Sequence, residues 1–386
     1  MSRFHSYLNA AVAILKQYDG AMPFAANLKQ FFAANKKMGA TDRRKISDLC
    51  YSFFRLGKSG LHLSVEERIL AGKFCCTTDD DAILQAVKPE WTSDISSNAT
   101  GKLKLQGLDV HEIFPFKDAL SDGIDGELFS LSFLQQPHLF IRIRPGNEEV
   151  VKRKLLHAGV NFKELSPLCL SLPNATKLDR IIQLNREAVI QDYSSQRVGA
   201  LLEKLIPRKI KNVWDCCAAS GGKSILAKDV LGNINLTVND VRETILYNLK
   251  KRFAEAGIKS YNTIITDLSQ RGIEQNDQFD LIIADVPCSG SGTWARTPEQ
   301  LYYFDKHCIE KYVQLQKSIL TNIVSSLKPG GYLLYITCSV FKDENENNVQ
   351  FLTKNFSLQL NEQIILKGYD MQADTMFAAL LSKPYG

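Results

Sequence analysis

From about Asn185 to its C-terminus, the chain alternates short apolar strands with helical segments, and no other feature restricts the fold as strongly. Strands are predicted at 213–215, 236–239, 263–266, 279–284 and 331–336. In the segment 241–257, apolar side chains recur every four residues and Gly257 follows, which predicts a helix. Regular alternation of this kind is typical of a parallel sheet that helices cover on both faces. The sequence therefore predicts an α/β fold with a Rossmann-like sheet.

The first 130 residues have a different pattern, which predicts a helical domain. Apolar residues at helical spacing fall on one stripe, and Gly57 follows as a stop; they are Ile46, Leu49, Cys50, Phe53 and Phe54. Further along, alternation over 139–144, a helical stretch at 148–157 and a short strand at 168–172 predict a small α/β module. The predicted domains are thus 1–130 (helical), 131–185 (small α/β module) and 186–386 (the alternating region).

Length, composition and cysteine usage limit the class of protein. A chain of 386 residues with 45% hydrophobic content can bury a sizeable core in two or three domains. The first 17 residues lack the apolar run of a signal sequence or membrane helix, so we expect a cytoplasmic protein, and a monomer. The nine cysteines lack the spacing of a zinc site, so we expect reduced thiols and no metal.

Two groups of basic residues are candidates for RNA binding. The net charge of +5 is modest, but basic residues are concentrated between Lys29 and Lys58, and Arg43, Arg44 and Lys45 lie at the centre of this group. In the strand at 139–144, Phe140, Arg142 and Arg144 share one face, which could stack bases and pair with phosphate. The alternative is a solvated helix face and an ordinary exposed strand.

The turn after the first predicted strand of the alternating region is rich in small residues and indicates a ligand at the start of a helix. It reads Asp215-Cys-Cys-Ala-Ala-Ser-Gly-Gly-Lys-Ser224. A P-loop would need Gly at Cys217, and the G-x-G-x-x-G pattern of dinucleotide sites is missing. Asp240 and Asp267 follow the next two strands and could bind ribose and adenine, although each could equally be a helix cap.

This combination describes a bound adenosine without phosphates and points to S-adenosylmethionine as the cofactor. The predicted cofactor-binding residues are Cys217, Ala218, Ala219, Ser220, Gly221, Gly222, Lys223, Asp240, Asp267 and Asp285. Two cysteines follow the next two strands, Cys288 in Asp285-Val-Pro-Cys and Cys338 in Thr337-Cys-Ser. Ligands of open α/β sheets bind at the carboxyl ends of strands, so we expect both thiols to flank one pocket.

These motifs resemble the Sun/Fmu family of RNA cytosine-C5 methyltransferases over about Gln191 to Lys383. The resemblance is carried by Asp-x-Cys-Ala-Ala-x-Gly-Gly-Lys at 215–223, Asp285-x-Pro-Cys-Ser-Gly-x-Gly, Arg296-x-Pro-Glu, and Thr337-Cys-Ser followed by Glu344-Asn-Glu. The segment 374–383 is similar to the family's final strand, and Ser220 stands where the family usually has Pro. Arg296 joins the RNA-binding candidates.

The resemblance implies that Cys338 is the nucleophile and that Cys288 is needed for release. Cytosine C5 is too weak a nucleophile to take a methyl group unaided, and a thiolate that adds at C6 turns the ring into an enamine that can. Asp285 could hydrogen-bond the exocyclic amine and N3 of the base. Lys223 could favour a thiolate or contact the substrate, or be a plain surface lysine.

The substrate implied by the resemblance is RNA. The segment 42–55 is faintly similar to the helical RNA-binding extension of bacterial ribosomal RNA members, so ribosomal RNA is expected first and transfer RNA second. Two other functions stay open. Amino-group methylation would place Asp285-Val-Pro-Cys288 in the base-binding slot and leave Cys338 without a role. A non-catalytic RNA-binding assembly factor would keep the fold without turnover.

Overall fold

The computed structural model describes residues 3–270 and 278–385. Its α-helices are, in chain order, α1 (Arg3–Gln17), α2 (Phe24–Ala34), α3 (Ala40–Arg55), α4 (Val65–Cys76), α5 (Ala82–Val87), α6 (Ala99–Leu105), α7 (Val110–Ile113), α8 (Gly126–Ser132), α9 (Glu148–His157), α10 (Tyr193–Arg197), α11 (Gly199–Glu203), α12 (Gly222–Leu231), α13 (Glu243–Glu255), α14 (Pro298–Tyr303), α15 (Cys308–Val324) and α16 (Glu346–Phe356). Among these residues, no helix has the length and apolar character needed to cross a membrane.

The strands form two sheets. They are, in chain order, β1 (Leu139–Ile143), β2 (Lys163–Ser166), β3 (Cys169–Leu172), β4 (Ala188–Ile190), β5 (Asn212–Asp215), β6 (Asn235–Asn239), β7 (Asn262–Ile264), β8 (Phe279–Asp285), β9 (Leu327–Thr337), β10 (Gln359–Leu366) and β11 (Met376–Ser382). The chain divides into two compact units: a helical unit up to Asp118 with Asp125–Gln136 and Trp294–Lys306, and a sheet unit comprising the other described residues.

The helical unit is built around α3, as its apolar stripe predicts. Ile46, Leu49, Cys50, Phe53 and Phe54 are all buried, which confirms the predicted stripe. Edge-to-face aromatic contacts add to this core; the ring centroids of Phe24 and Phe54, for example, lie 4.9 Å apart. Gly57 follows the helix with φ of +56°.

The segment Trp294–Lys306 belongs to the helical unit, although the sequence placed all of 186–386 in one domain. Its helix α14 brings Tyr302 against Phe53, with ring centroids 5.2 Å apart. Arg55 donates to the carbonyl of Ala295 at 3.3 Å. These contacts join residues some 240 positions apart, which local periodicity cannot reveal.

The small sheet has the order β2-β3-β1-β4, with every pairing antiparallel. Helix α9 matches its predicted bounds and buries Val151 and Leu155 against it. The sequence predicted a separate module at 131–185, whereas the structure groups this sheet with the larger sheet in one unit.

The predicted RNA-binding face of β1 needs correction, because its side chains are used inside the protein. Phe140 is only 2% exposed and packs with Cys169 and Ala373. Arg142 Nη1 lies 2.6 Å from Asp229 of α12, and its Nε donates to Gln191 at 2.8 Å.

Arg144 shares the same carboxylate, with Nη2 2.7 Å from Asp229. Its Nη1 donates to the carbonyl of Ala256 at 2.6 Å. Buried charges need partners of this kind. Arg142 and Arg144 are therefore explained as an ion-paired link from β1 to helix α12, and the expectation that they face RNA is withdrawn.

The large sheet has the order β10-β11-β9-β8-β5-β6-β7. The pairs β5–β6, β5–β8, β6–β7 and β8–β9 are parallel, as predicted. The remaining two strands differ, because β11 runs antiparallel to both β9 and β10. Between β10 and β11 stands a 3₁₀ turn of three residues (Tyr369–Met371), which is too short to return the chain for parallel pairing.

Apolar side chains cover both faces of this sheet. On one face, Val213 and Ile283 pack with residues of α12 and α13, including Phe253. On the other, Trp214 and Tyr335 pack with residues of α15 and α16. This three-layer arrangement leaves the carboxyl ends of the parallel strands free to hold polar groups.

Candidate active site

The turn after β5 is as tight as its small residues predict. Ala219 and Gly221 have positive φ values of 46° and 83°. A Cβ on Gly221 would lie 2.5 Å from the Phe253 ring, so only glycine fits between the turn and α13. The Ala218 N–H donates to the carbonyl of Asn239 at 2.8 Å, which ties the turn to the end of β6.

Asn239, which sequence reasoning passed over, ties three strand ends together. Its Nδ2 donates to the carbonyls of Cys216 and Thr266 at 3.0 and 3.1 Å. Its Oδ1 accepts from the Thr266 N–H at 3.1 Å. An amide at the end of a buried strand was the signal for this role, because a buried amide must find donors and acceptors nearby.

Asp240 and Asp267 lie where the sequence predicted, and each already accepts hydrogen bonds. Asp240 is buried; its Oδ2 accepts from the Ala219 N–H at 3.1 Å, and the Arg242 guanidinium lies 3.1 Å from Oδ1. Asp267 accepts from the hydroxyl and N–H of Ser269 at 2.6 and 3.0 Å, and these bonds hold its pKa below the usual range. Asp267 thus caps the turn that follows it.

A cavity of about 560 Å³ lies at these strand ends within the sheet unit. Seven of the predicted site residues line this cavity: Cys217, Ala219, Asp240, Asp267, Asp285, Cys288 and Cys338. Ala218, Ser220, Gly221, Gly222 and Lys223 shape the turn or the helix start and do not line the cavity. Within the described ranges, no cluster of three His, Cys, Asp or Glu side chains could hold a metal.

The two thiols predicted to share a pocket are in contact. The sulfur atoms of Cys288 and Cys338 lie 3.2 Å apart. The contact with Cys338, together with burial, raises the pKa of Cys288 above the ordinary thiol value. Gly292 allows the loop that carries Cys288 to approach Cys338, because its N–H donates to the Cys338 carbonyl at 2.9 Å. A Cβ on residue 292 would lie 1.9 Å from the carbonyl oxygen of Thr375, so a larger residue would not fit.

Lys223 is not the plain surface lysine that the sequence left open. Its side chain is 10% exposed, and Nζ lies 3.0 Å from Oδ2 of Asp285 and 2.8 Å from Oγ of Ser195. The ammonium therefore orients the Asp285 carboxylate, which lines the cavity beside the thiols. Ser195 was missed by sequence reasoning, since α10 lies outside the motifs.

The RNA-binding candidates outside β1 all lie in the helical unit. Arg44 is exposed and Lys45 half-buried on α3. Arg43 has structural contacts, because its Nε donates to the carbonyl of Met38 at 2.9 Å. Arg296 is half-buried next to α14. Arg44 and Lys45 remain the better candidates of this group.

Ser220, which stands where the resembling family has Pro, is held by a side chain of α13. Arg252 Nη1 donates to Oγ of Ser220 at 2.6 Å and to its carbonyl at 2.9 Å. Arg252 Nε in turn donates to Asn185 at 3.1 Å. These hydrogen bonds restrain the turn where a proline ring would otherwise restrict φ.

Replacing Arg252 by Met removes both hydrogen bonds to Ser220, so we expect the amides of residues 218–221 to exchange faster with deuterium. In a Ser220→Pro background the same replacement should have a much smaller effect, because proline fixes φ near about −65° by itself. Lys250→Met, at an exposed position of the same helix, is the control. Equal exchange in Arg252→Met and the parent protein would show that Arg252 does not restrain the turn.

Known proteins are similar to the part of the chain that carries this site. Residues 202–379 match the family model described as 16S rRNA methyltransferase RsmB/F. Ribosomal RNA small subunit methyltransferase B of Shewanella oneidensis is 32% identical over 180 residues, which cover 46% of this chain and 41% of that protein. The protein of that name from Pasteurella multocida is 30% identical over 237 residues, covering 58% and 52%. The chain spans about half the length of the curated relatives it matches.

Solved structures share the fold at low sequence identity. The crystal structure of PH0851 aligns with 98% of this chain and 98% of that chain, with a TM-score of 0.69 and 20% identity. A methyltransferase homolog protein from Pyrococcus horikoshii covers 70% of this chain and 94% of that chain, with a TM-score of 0.58 and 23% identity. The chain thus shares its fold, a Rossmann-like mixed sheet covered by helices, with a solved methyltransferase homolog. Residues 202–379, which include both thiols and the residues that line the cavity, are therefore similar to the RsmB/F methyltransferases, in agreement with the resemblance of their motifs to the Sun/Fmu family.

Proposed function

We propose that the chain is an S-adenosylmethionine-dependent RNA methyltransferase that forms 5-methylcytosine. One observation carries the proposal: the sulfur atoms of Cys288 and Cys338 lie 3.2 Å apart in the wall of a cavity that also holds the carboxylates of Asp240, Asp267 and Asp285. Carboxylates suit the hydroxyls and amino groups of an adenosine, and thiols suit covalent attack on a base.

The residues at the strand ends fit S-adenosylmethionine. Asp240 and Asp267 offer carboxylate oxygens to ribose and adenine, and the Ala219 turn lets a ligand approach the backbone closely. The cavity of about 560 Å³ is within the range of ligand pockets. The cofactor supplies an electrophilic methyl group on a sulfonium.

The chemistry assigned to the thiols follows from the weak nucleophilicity of cytosine. The Cys338 thiolate adds to C6, and the electron pair of the C5–C6 double bond becomes available at C5. C5 accepts the methyl group through that pair. Loss of the C5 proton to a base then restores the double bond and expels the thiolate. Cys288, in contact with Cys338, is placed to take part in this release.

Asp285 and Lys223 are proposed to orient the base. The Lys223 ammonium holds one carboxylate oxygen of Asp285 at 3.0 Å, and the carboxylate stays partly exposed to the cavity. A carboxyl group there can accept from the exocyclic amine of cytosine with one oxygen and share a proton with N3 through the other. The proton at N3 withdraws electrons from C6. This would favour thiolate addition.

Ribosomal RNA is the proposed substrate, and transfer RNA is the runner-up. The support for ribosomal RNA is the name of the curated relatives, which are ribosomal RNA small subunit methyltransferases. Arg44 and Lys45 of the helical unit are proposed to contact phosphates. All nine cysteines are free thiols, which supports a reducing location such as the cytoplasm.

Replacing Asp240 or Asp267 by Ala should weaken binding of S-adenosylhomocysteine in a calorimetric titration. Loss of a hydrogen bond to a charged group removes about 1.5–3 kcal/mol of binding free energy. Asp343→Ala, which changes an exposed carboxylate next to the thiol loops, should bind normally. Normal affinity in both test variants would place the adenosine elsewhere.

Cys338→Ala should be inactive and free of bound RNA, since no adduct can form without the nucleophile. Cys288→Ala should accumulate a denaturant-resistant complex with unmodified RNA when cofactor is present, because the adduct forms and resolves poorly. The measurement is gel electrophoresis of protein with labelled RNA.

RNA that contains 5-fluorocytosine should trap the wild-type enzyme, because fluorine at C5 cannot leave as a proton. If Cys338→Ala accumulates the complex and Cys288→Ala does not, the two roles must be exchanged. Absence of any complex, on fluorinated RNA as well, would leave amino-group methylation as the better account. Absence of cofactor binding in folded protein would favour a non-catalytic RNA-binding factor.

Replacing Arg44 and Lys45 together by Ala should weaken RNA binding and leave cofactor affinity intact. The slope of log affinity against log salt should become shallower by about 0.7 for each phosphate of single-stranded RNA that the variant no longer neutralises. Lys104→Ala with Lys117→Ala removes the same charge from other exposed positions of the helical unit and serves as the control. Equal slopes in both double variants would show that α3 is only a solvated face.

A further inference from the structure

One buried carboxylate is bonded to both loops that carry the paired thiols. Glu344 is fully buried. Its Oε2 accepts from the backbone N–H of Ser289 at 2.8 Å, and its Oε1 accepts from the hydroxyl of Ser339 at 2.6 Å. Ser289 follows Cys288 directly, and Ser339 follows Cys338 directly. Each carboxylate oxygen therefore holds the residue next to one thiol.

We propose that Glu344 is a positioning residue that keeps the two thiols in contact by fastening both loops to one carboxylate. This role rests on the proposed function, in which addition by one thiol and release with the other require both at the same base. Methyl transfer depends on such placement, because small displacements of reacting groups cost large factors in rate.

Neutral polar groups around the carboxylate hold it in place. Gln316 of α15 donates from Nε2 to Oε2 of Glu344 at 2.9 Å and to the carbonyl of Pro287 at 3.0 Å. The hydroxyls of Ser289, Ser291 and Ser339 lie 3.1 to 3.2 Å from one another. Burying a carboxylate among neutral donors is costly, and hydrogen bonds to both oxygens offset that cost.

The requirement for two acceptor oxygens explains why a carboxylate occupies this position. An amide offers one acceptor oxygen and one NH₂ donor. Glutamine at 344 could still accept from the Ser289 N–H through its oxygen, but it would present NH₂ to the Ser339 hydroxyl. Alanine would release both loops.

Glu346 provides a matched control in the same motif. It too is a buried acidic residue, but its oxygens accept from the Ser121 hydroxyl at 2.9 Å and from the Asp122 N–H at 3.1 Å. These two partners lie in the segment 121–122, whereas the partners of Glu344 are the serines that follow the two thiols. A loss of function caused only by removing a buried charge from this motif would therefore appear in both positions.

The test compares Glu344→Ala, Glu344→Gln and Glu346→Gln in the full chain. The first readout is binding of phenylarsine oxide, whose arsenic bridges two neighbouring thiols. Only the part of this binding that is lost in Cys338→Ala is counted, because the chain contains other cysteines. The second is kcat and KM on RNA transcripts. We expect Glu344→Ala to lose this arsenical binding and about a hundredfold in kcat, with KM for RNA unchanged.

Glu344→Gln should lie between Glu344→Ala and the wild type, because it keeps one of the two loop contacts, and Glu346→Gln should match the wild type in both readouts. Wild-type arsenical binding and kcat in folded Glu344→Ala would overturn the proposal, as would an equal loss in Glu346→Gln. If Glu344→Ala does not fold, Ser339→Ala replaces it, since it removes the hydroxyl that donates to Glu344 and leaves the buried carboxylate in place. Normal thiol bridging and kcat in Ser339→Ala would overturn the proposal equally. If the wild type binds the arsenical as expected but methylates no RNA, the proposed function fails and the thiol-spacing role stands.

Discussion

The parallel pairing of β8 with β9 is the interaction on which the rest of the site depends. It sets Asp285 opposite Ile336, so the loop that carries Cys288 and the residue Cys338 leave the sheet at the same edge. Two thiols about fifty positions apart thereby come within 3.2 Å. A register shift of one residue would turn the side chains of one strand to the other face and separate the thiols.

The surroundings of this edge combine two opposite requirements. The cavity at the strand ends must stay open to a ligand and a base. By contrast, Glu344, Gln316 and the serine hydroxyls are buried and form a filled polar network. An apolar filling of the same volume would avoid the desolvation of a carboxylate. It would not direct hydrogen bonds to both loops at once, so the polar network gives the loops a defined spacing at a cost in stability.

The sequence predicted where the paired thiols lie better than it predicted the groups that hold them. Strands β5 to β9, the buried stripe of α3 and the shared pocket of Cys288 and Cys338 all follow from local period and from short motifs. The misreading of Arg142 has a physical reason: alternation shows that a strand has two faces, but the partner of Arg142 is Asp229, 87 positions away. For the same reason the sequence did not predict that α14 packs in the helical unit, because its partners on α3 lie far earlier in the chain. Strand β11 lies in the segment 374–383, which the resemblance identifies as a final strand, but its antiparallel direction could not be predicted from the local pattern.

Ser220 shows how a departure from a family motif can be compensated by a distant residue. A proline acts largely on the unfolded chain, because it removes conformations that folding would otherwise have to restrict. The hydrogen bonds from Arg252 to Ser220 exist only once α13 has packed against the turn. Order in the cofactor turn is therefore coupled to the docking of α13 in this chain. The same helix also carries Phe253 against Gly221, so its packing determines both the shape and the rigidity of the turn.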